Sequence, residues 1–198
     1  MFGHKVPANI SDLLNDLRAH LHGLDGARYS LELLAAALYE RLGLPARREE
    51  ELLVADALGG PRYRGWLWDG VAEALAEFHK SGIRMGVIAD TDWTSRMMRR
   101  AFAGVGLGEF FGPVVCSCDL GIRKPDGRIF ATALADIGAK AGFRKRILYV
   151  GDNLEKDIGG ATAFGWDAAL HVTSHGGSDG KAVLDFTDYR DLVKLVLS

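Results

Sequence analysis

Cysteine, proline, long apolar runs and an excess of one charge are all scarce in this chain, and each shortage removes a class of protein. Only two cysteines occur, Cys116 and Cys118, one residue apart. A secreted disulfide framework needs more of them, differently spaced. They read as two small apolar residues on a strand in a reducing cytoplasm rather than as half of a metal site. Twenty-four basic residues stand against 26 acidic ones, for a net charge of −2 with no basic block. Neither nucleic acid nor an anionic membrane surface finds a footing in that pattern. No apolar run approaches the ~20 residues that span a bilayer, and the first residues lack a signal-peptide pattern. A soluble, cytoplasmic protein with no nucleic-acid and no membrane partner is expected. Five prolines among 198 residues, beside 25 glycines, speak for tight turns rather than disorder.

What is present divides in two. With 48% apolar residues the chain can bury a real core, as one domain of good size or a core domain with a small insert. Residues 1–62 read as helices. Ile10, Leu13, Leu14, Leu17, Leu21 and Leu24 share one helical face behind Asn9 or Ser11 as N-cap. Leu31, Leu34, Leu38 and Leu42 repeat the pattern until Gly43 and Pro45 stop it. Pro45 opens a third helix with Leu52, Leu53 and Leu58, closed by Gly59-Gly60-Pro61. No catalytic constellation falls in this block. From Asp69 onward helices alternate with short apolar strands, predicted at 83–88, 114–117, 147–150, 168–172 and 183–186. That rhythm predicts an α/β core over 63–198, built on a doubly wound parallel sheet.

The chemistry gathers at three strand ends. After the strand at 147–150, Gly151 lets the chain turn, Asp152 sits at the lip of the sheet, and Asp157 follows on the next helix, which starts near Asn153. Two carboxylates converging there make an oxygen site suited to Mg²⁺; a helix N-cap with an acid favoured by the helix dipole fits the same residues. Lys124 precedes Pro125 and a helix start, a point charge placed to hold an anion. Asp90 and Thr91 end the strand at 83–88 and bring short polar side chains to the same lip. Other features read as structural: Gly104 to Gly108 as a helix stop, His171 and His175 as strand-end and loop residues, Trp66, Trp68 and Trp93 as packing between the helical block and the core.

Gly121-Ile122-Arg123-Lys124-Pro125-Asp126-Gly127-Arg128-Ile129-Phe130, followed by Val150-Gly151-Asp152-Asn153-Leu154-Glu155-Lys156-Asp157-Ile158-Gly159-Gly160-Ala161, resembles the haloacid dehalogenase (HAD) superfamily over about residues 65 to 175. The resemblance implies a Rossmann-like core and makes residues 1–62 similar to that family's helical cap. It implies that Lys124 neutralises a transferred phosphoryl group, that Asp152 ligates Mg²⁺, and that Asp157 does so directly or through water. Gly151-Asp152 matches the family's phosphatases rather than its metal-free dehalogenases. The implied reaction is hydrolysis of a small phosphate ester, the partner a small phosphorylated metabolite.

Two departures qualify this. Where the family's second motif ends in Ser or Thr, this chain has Ala89 and Asp90, so Thr91 would have to supply the hydroxyl. The family's first motif, an apolar strand ending Asp-x-Asp that supplies the attacking carboxylate, has no match; Leu24-Asp25-Gly26 echoes only part of it. In the family that strand lies mid-sheet, between those predicted here at 83–88 and 147–150. Without it two edges would face each other about 9–10 Å apart, twice the usual spacing, with each buried unpaired amide or carbonyl costing about 1–3 kcal/mol. The expectation is that the strands close up, that another segment fills the slot, or, the favoured reading, that the coding sequence continues upstream of Met1. The chain as it stands is then inactive or nearly so. A scaffold that kept the fold and lost the chemistry, and a dehalogenase, are the rival readings; an open slot would also invite strand exchange into a homodimer.

Overall fold

A computed structural model of the chain describes residues 7–60, 67–138, 147–173 and 176–198. The boundary at 62/63, together with Trp66 and His175, lies outside them.

Three helices lead: α1 (Ile10–Asp25), α2 (Leu31–Arg41) and α3 (Arg48–Gly59). Ser30 caps α2, its Oγ accepting from the Leu33 amide at 3.2 Å. The third helix starts at Arg48 rather than at Pro45, because Arg47 is still extended (φ −129°). Leu24, expected on the inward face of α1, is 70% exposed in the helix's last turn. Next come α4 (Val71–Lys80), β1 (Met85–Ala89), α5 (Ser95–Gly104), β2 (Phe111–Cys116), the short α6 (Ser117–Leu120) and α7 (Gly127–Asp136). The first strand begins two residues later than the apolar run suggests: the Ile83 amide still bonds Phe78 O at 3.0 Å, closing α4. The second ends one residue earlier, since Ser117 turns into α6.

Leu34, Leu38, Val54 and Ala55 of α2 and α3 join Trp93, Met97, Ala101, Val114 and Cys116 in one apolar cluster. The helical block is thus packed on α5 and β2. Trp93 lies in that seam as expected. Trp68 does not: it is 56% exposed and stands edge-on to His171, 5.2 Å between ring centres.

The C-terminal half supplies β3 (Leu148–Gly151), a π-helical turn (Leu154–Gly159) running into α8 (Gly160–Phe164), β4 (Asp167–His171), β5 (Leu184–Phe186) and α9 (Tyr189–Leu197). All strand pairs are parallel, as alternation with helices requires. The strands form two sheets rather than one, β1–β2 and β3–β4–β5, and no ladder joins β1 to β3 among the described residues. A common core nevertheless holds the sheets together: Ile88 and Val115 from the first, Tyr149 and Leu170 from the second, all against Ile129 and Phe130 of α7. Among the described residues no helix is long and apolar enough to cross a membrane.

Candidate active site at the carboxyl end of the sheets

Gly151 is the last residue of β3, and its role differs from the expected sharp turn: its φ is not positive. It is instead the point of closest approach. A Cβ there would lie 2.4 Å from Asp157 Cβ and 2.6 Å from its Oδ2, closer than atoms can pack. Asn153 then caps the next element, its Oδ1 accepting from the amides of Glu155 (3.1 Å) and Lys156 (2.8 Å). That element is a π-turn rather than an ordinary helix: the Ile158 amide reaches back five residues to Asn153 O at 3.1 Å. Such wide turns re-aim side chains and recur at functional sites. Here the turn lays Asp157 back over Gly151.

Asp157 is 4% exposed, and four donors surround it. Its Oδ2 accepts from the amides of Asp152 (3.2 Å) and Asn153 (3.0 Å). Its Oδ1 accepts from Lys124 Nζ at 2.6 Å and from the Tyr149 hydroxyl at 3.1 Å. The same hydroxyl lies 3.2 Å from Lys124 Nζ. Burial pushes the Tyr149 phenol well above its ordinary range, and the charges of Asp157, Asp90 and Asp152 add to the rise; it stays neutral. All three carboxylates therefore act on one hydroxyl, which marks them as neighbours.

Asp90 follows β1 and holds the lysine loop that comes after β2 of the same sheet, its Oδ1 accepting from the Lys124 amide at 3.0 Å. Its Oδ2 is buried with no hydrogen-bond partner; Lys156 Nζ is the nearest cation, at 3.8 Å. Thr91 does not face the lysine. Its Oγ1 accepts from the Trp93 amide (3.1 Å), and its amide donates to Ser117 Oγ (3.0 Å), so its hydroxyl shapes the turn after β1. Lys124, Asp157 and Asp90 are brought together, Asp152 lies exposed beside them, and Thr91 is occupied elsewhere.

Sequence reasoning missed Tyr149, Ser117 and Asn153. Tyr149 left a signal: a hydroxyl in a short apolar strand has to find a partner when buried, and Asp152 and Asp157, one and six residues after Gly151, are candidates. Ser117, fully buried, left none, because its partner lies 26 positions away.

No three His, Cys, Asp or Glu side chains among the described residues are grouped so as to enclose a metal ion. Mg²⁺ does not need such a cage; it keeps several waters and is held by one or two carboxylates together with substrate phosphate. Exposed Asp152 and the unpartnered oxygen of Asp90 fit that requirement, whereas the lone pairs of Asp157 are taken by Lys124, Tyr149 and two amides.

A parallel α/β core that gathers a buried lysine–aspartate pair and a second acid at its carboxyl end defines the class: a hydrolase fold of the haloacid dehalogenase type. The haloacid dehalogenase-like hydrolase family matches residues 10–165, and the chain belongs to it. The chain is similar to the phosphoserine phosphatase of Thermus thermophilus, 34% identical over 154 residues that make up 70% of this chain and 59% of the relative. It is similar to the glyceraldehyde 3-phosphate phosphatase of Methanopyrus kandleri, 32% identical over 48% of this chain and 39% of the relative. The chain thus spans less than two thirds of these relatives' length. Among solved structures, a 2-haloacid dehalogenase from Pseudomonas syringae shares the fold with a TM-score of 0.63 at 23% identity, over 98% of this chain and 82% of that one. A HAD phosphatase from Thermococcus onnurineus does so at 0.58 and 21% identity, over 80% and 68%.

Proposed function

We propose that this chain is the framework of a Mg²⁺-dependent phosphohydrolase acting on a small phosphorylated metabolite, and that the 198 residues alone turn over little or none of it. The observation that carries the reading is the Lys124 ammonium, largely covered and 2.6 Å from Asp157, at the sheet end where exposed Asp152 lies. A lysine held there by a neighbouring carboxylate can swing its charge onto a phosphate oxygen and return to Asp157 when product leaves. Asp157 keeps the ammonium in place, and neutral Tyr149 donates to the Asp157 carboxylate and fixes its rotamer. Asp90 pins the lysine loop through the Lys124 amide. Asp152, with the buried, unpartnered oxygen of Asp90, would hold Mg²⁺, which supplies Lewis-acid screening of the phosphate charge. By resemblance the attacking carboxylate belongs to an apolar strand that this sequence does not contain. Two relatives bear phosphatase names, which favours phosphate esters over halogenated acids. Two free, buried cysteines favour the reducing cytoplasm as the place of reaction.

One observation favours a second reading, a scaffold without chemistry: Ala89 brings no hydroxyl, and a buried carboxylate oxygen of Asp90 stands where a phosphate would be held. Calorimetric titration with Mg²⁺ and then inorganic phosphate separates the two. Uptake of phosphate that requires both Mg²⁺ and Lys124 supports the phosphohydrolase framework. Absence of any uptake supports the scaffold, and release of chloride from 2-chloropropionate would overturn both.

A further inference from the structure

Among the described residues two lysines reach the acids at the carboxyl end of the sheets, and they are held differently. Lys124 lies 2.6 Å from Asp157, its side chain only 11% exposed, with the Tyr149 hydroxyl as a second partner. Lys156 comes from the π-turn, and its Nζ stops 3.8 Å from Asp90 Oδ2, beyond the roughly 3.2 Å of a formed N–H···O bond. That oxygen is buried and accepts no hydrogen bond among the described residues, which is unfavourable while nothing closer satisfies it. The lysine side chain is 50% exposed against 12% for the aspartate. The ammonium is free to retreat into water, and the carboxylate is not.

The π-turn fixes where this happens. The Lys156 amide donates to Asn153 Oδ1 at 2.8 Å, and the amide of the next residue, Asp157, donates to Asn153 O at 2.9 Å. The root of the Lys156 side chain is held as firmly as Asp157, and only its flexible stem varies. Three carboxylates, Asp90, Asp152 and Asp157, act on Tyr149 at this corner, and two ammonium groups answer them. We propose that Lys156 is a built-in counter-ion: it compensates Asp90 while no metal is bound, and a divalent cation displaces it from there into solvent. A tethered ammonium acts at a high local concentration but carries one charge, so an ion with two wins the oxygen and loses part of its affinity to the contest. The displacement needs the Mg²⁺ seat of the reading above but not its hydrolysis.

Calorimetric titration of the 198-residue chain with MgCl₂ alone, at fixed ionic strength and without phosphate, tests this. Lys156→Gln should bind Mg²⁺ about tenfold more tightly than the wild type. Lys156→Arg, which keeps the charge, should stay within about threefold of the wild type. Arg123→Gln is the control: it removes an equal charge that also lies 3.8 Å from an aspartate, Asp92, next to Lys124, and should change the affinity by less than about twofold. Equal affinity of wild type and Lys156→Gln would overturn the displacement and leave the Mg²⁺ seat standing. A gain of about tenfold in Lys156→Arg or in Arg123→Gln would overturn it as well, since contact between Lys156 and Asp90 would then not be its source. Absence of Mg²⁺ uptake by every variant would remove the seat and the displacement together.

Discussion

Gly151 has no room for a side chain, and the reason is Asp157 rather than the backbone. Gly151→Ala should cost about 1–3 kcal/mol in urea denaturation, as overpacking does, and should push Asp157 off Lys124. The two acids that follow it should behave oppositely. Asp157→Asn leaves the buried Lys124 without its counter-charge and should cost about 3–5 kcal/mol. Asp152→Asn, at an exposed position, should change stability by less than about 0.5 kcal/mol while weakening Mg²⁺ uptake in calorimetry. Burial, with the charge of Asp119, pushes both thiols up to about 12. Their neutral form is therefore held in the fold while an unfolded chain ionises near pH 9. Their contribution to stability is complete below that value and is lost as pH rises toward 12. At pH 8 iodoacetamide should leave Cys116 and Cys118 unmodified in the folded protein and label both in urea, read by mass spectrometry. Lys124, Asp152 and Asp157 were legible in the sequence because their motif spacing is local. That Asp157 serves the lysine, and that Thr91 serves the turn, was not, since each depends on partners on other elements.

The helices α2 and α5 are tied by Glu32. Its carboxylate accepts from Thr94 (2.6 Å), Arg96 (2.8 Å) and Arg48 (2.5 Å), while Arg96 and Arg100 also pair with Asp56 of α3. Burial pushes Glu32 up, but the hydrogen bonds from Thr94, Arg96 and Arg48 and the Arg96 charge outweigh it and hold the carboxyl below its ordinary range. A depressed carboxyl stabilises the fold above its unfolded pKa, and that contribution is lost as pH falls through the folded value. Glu32→Ala should therefore cost about 2 kcal/mol at pH 7, and less as the pH is lowered through the carboxylate range, measured by denaturation at several pH values. The helices themselves were legible from apolar spacing at three and four residues. Element ends were not, where one backbone bond such as Ile83 to Phe78 decides, and no local pattern announced the π-turn that aims Asp157.

Across the whole molecule, alternation of strands and helices read correctly as a parallel α/β fold, since it follows from chain connectivity. The division into two sheets belongs to the pairing between distant strands, which spacing along the chain does not carry. Only the resemblance to a family with one more strand raised it. The central claim is that Lys124, Asp157 and Asp152 form one site that takes a phosphate-like anion with Mg²⁺. A crystal structure grown with Mg²⁺ and tungstate tests it most directly. The metal should lie on Asp152 and a tungstate oxygen within hydrogen-bond distance of Lys124 Nζ, with Asp157 still beside it. Tungstate bound away from Lys124, or Lys124 and Asp157 turned apart with the metal elsewhere, would contradict it.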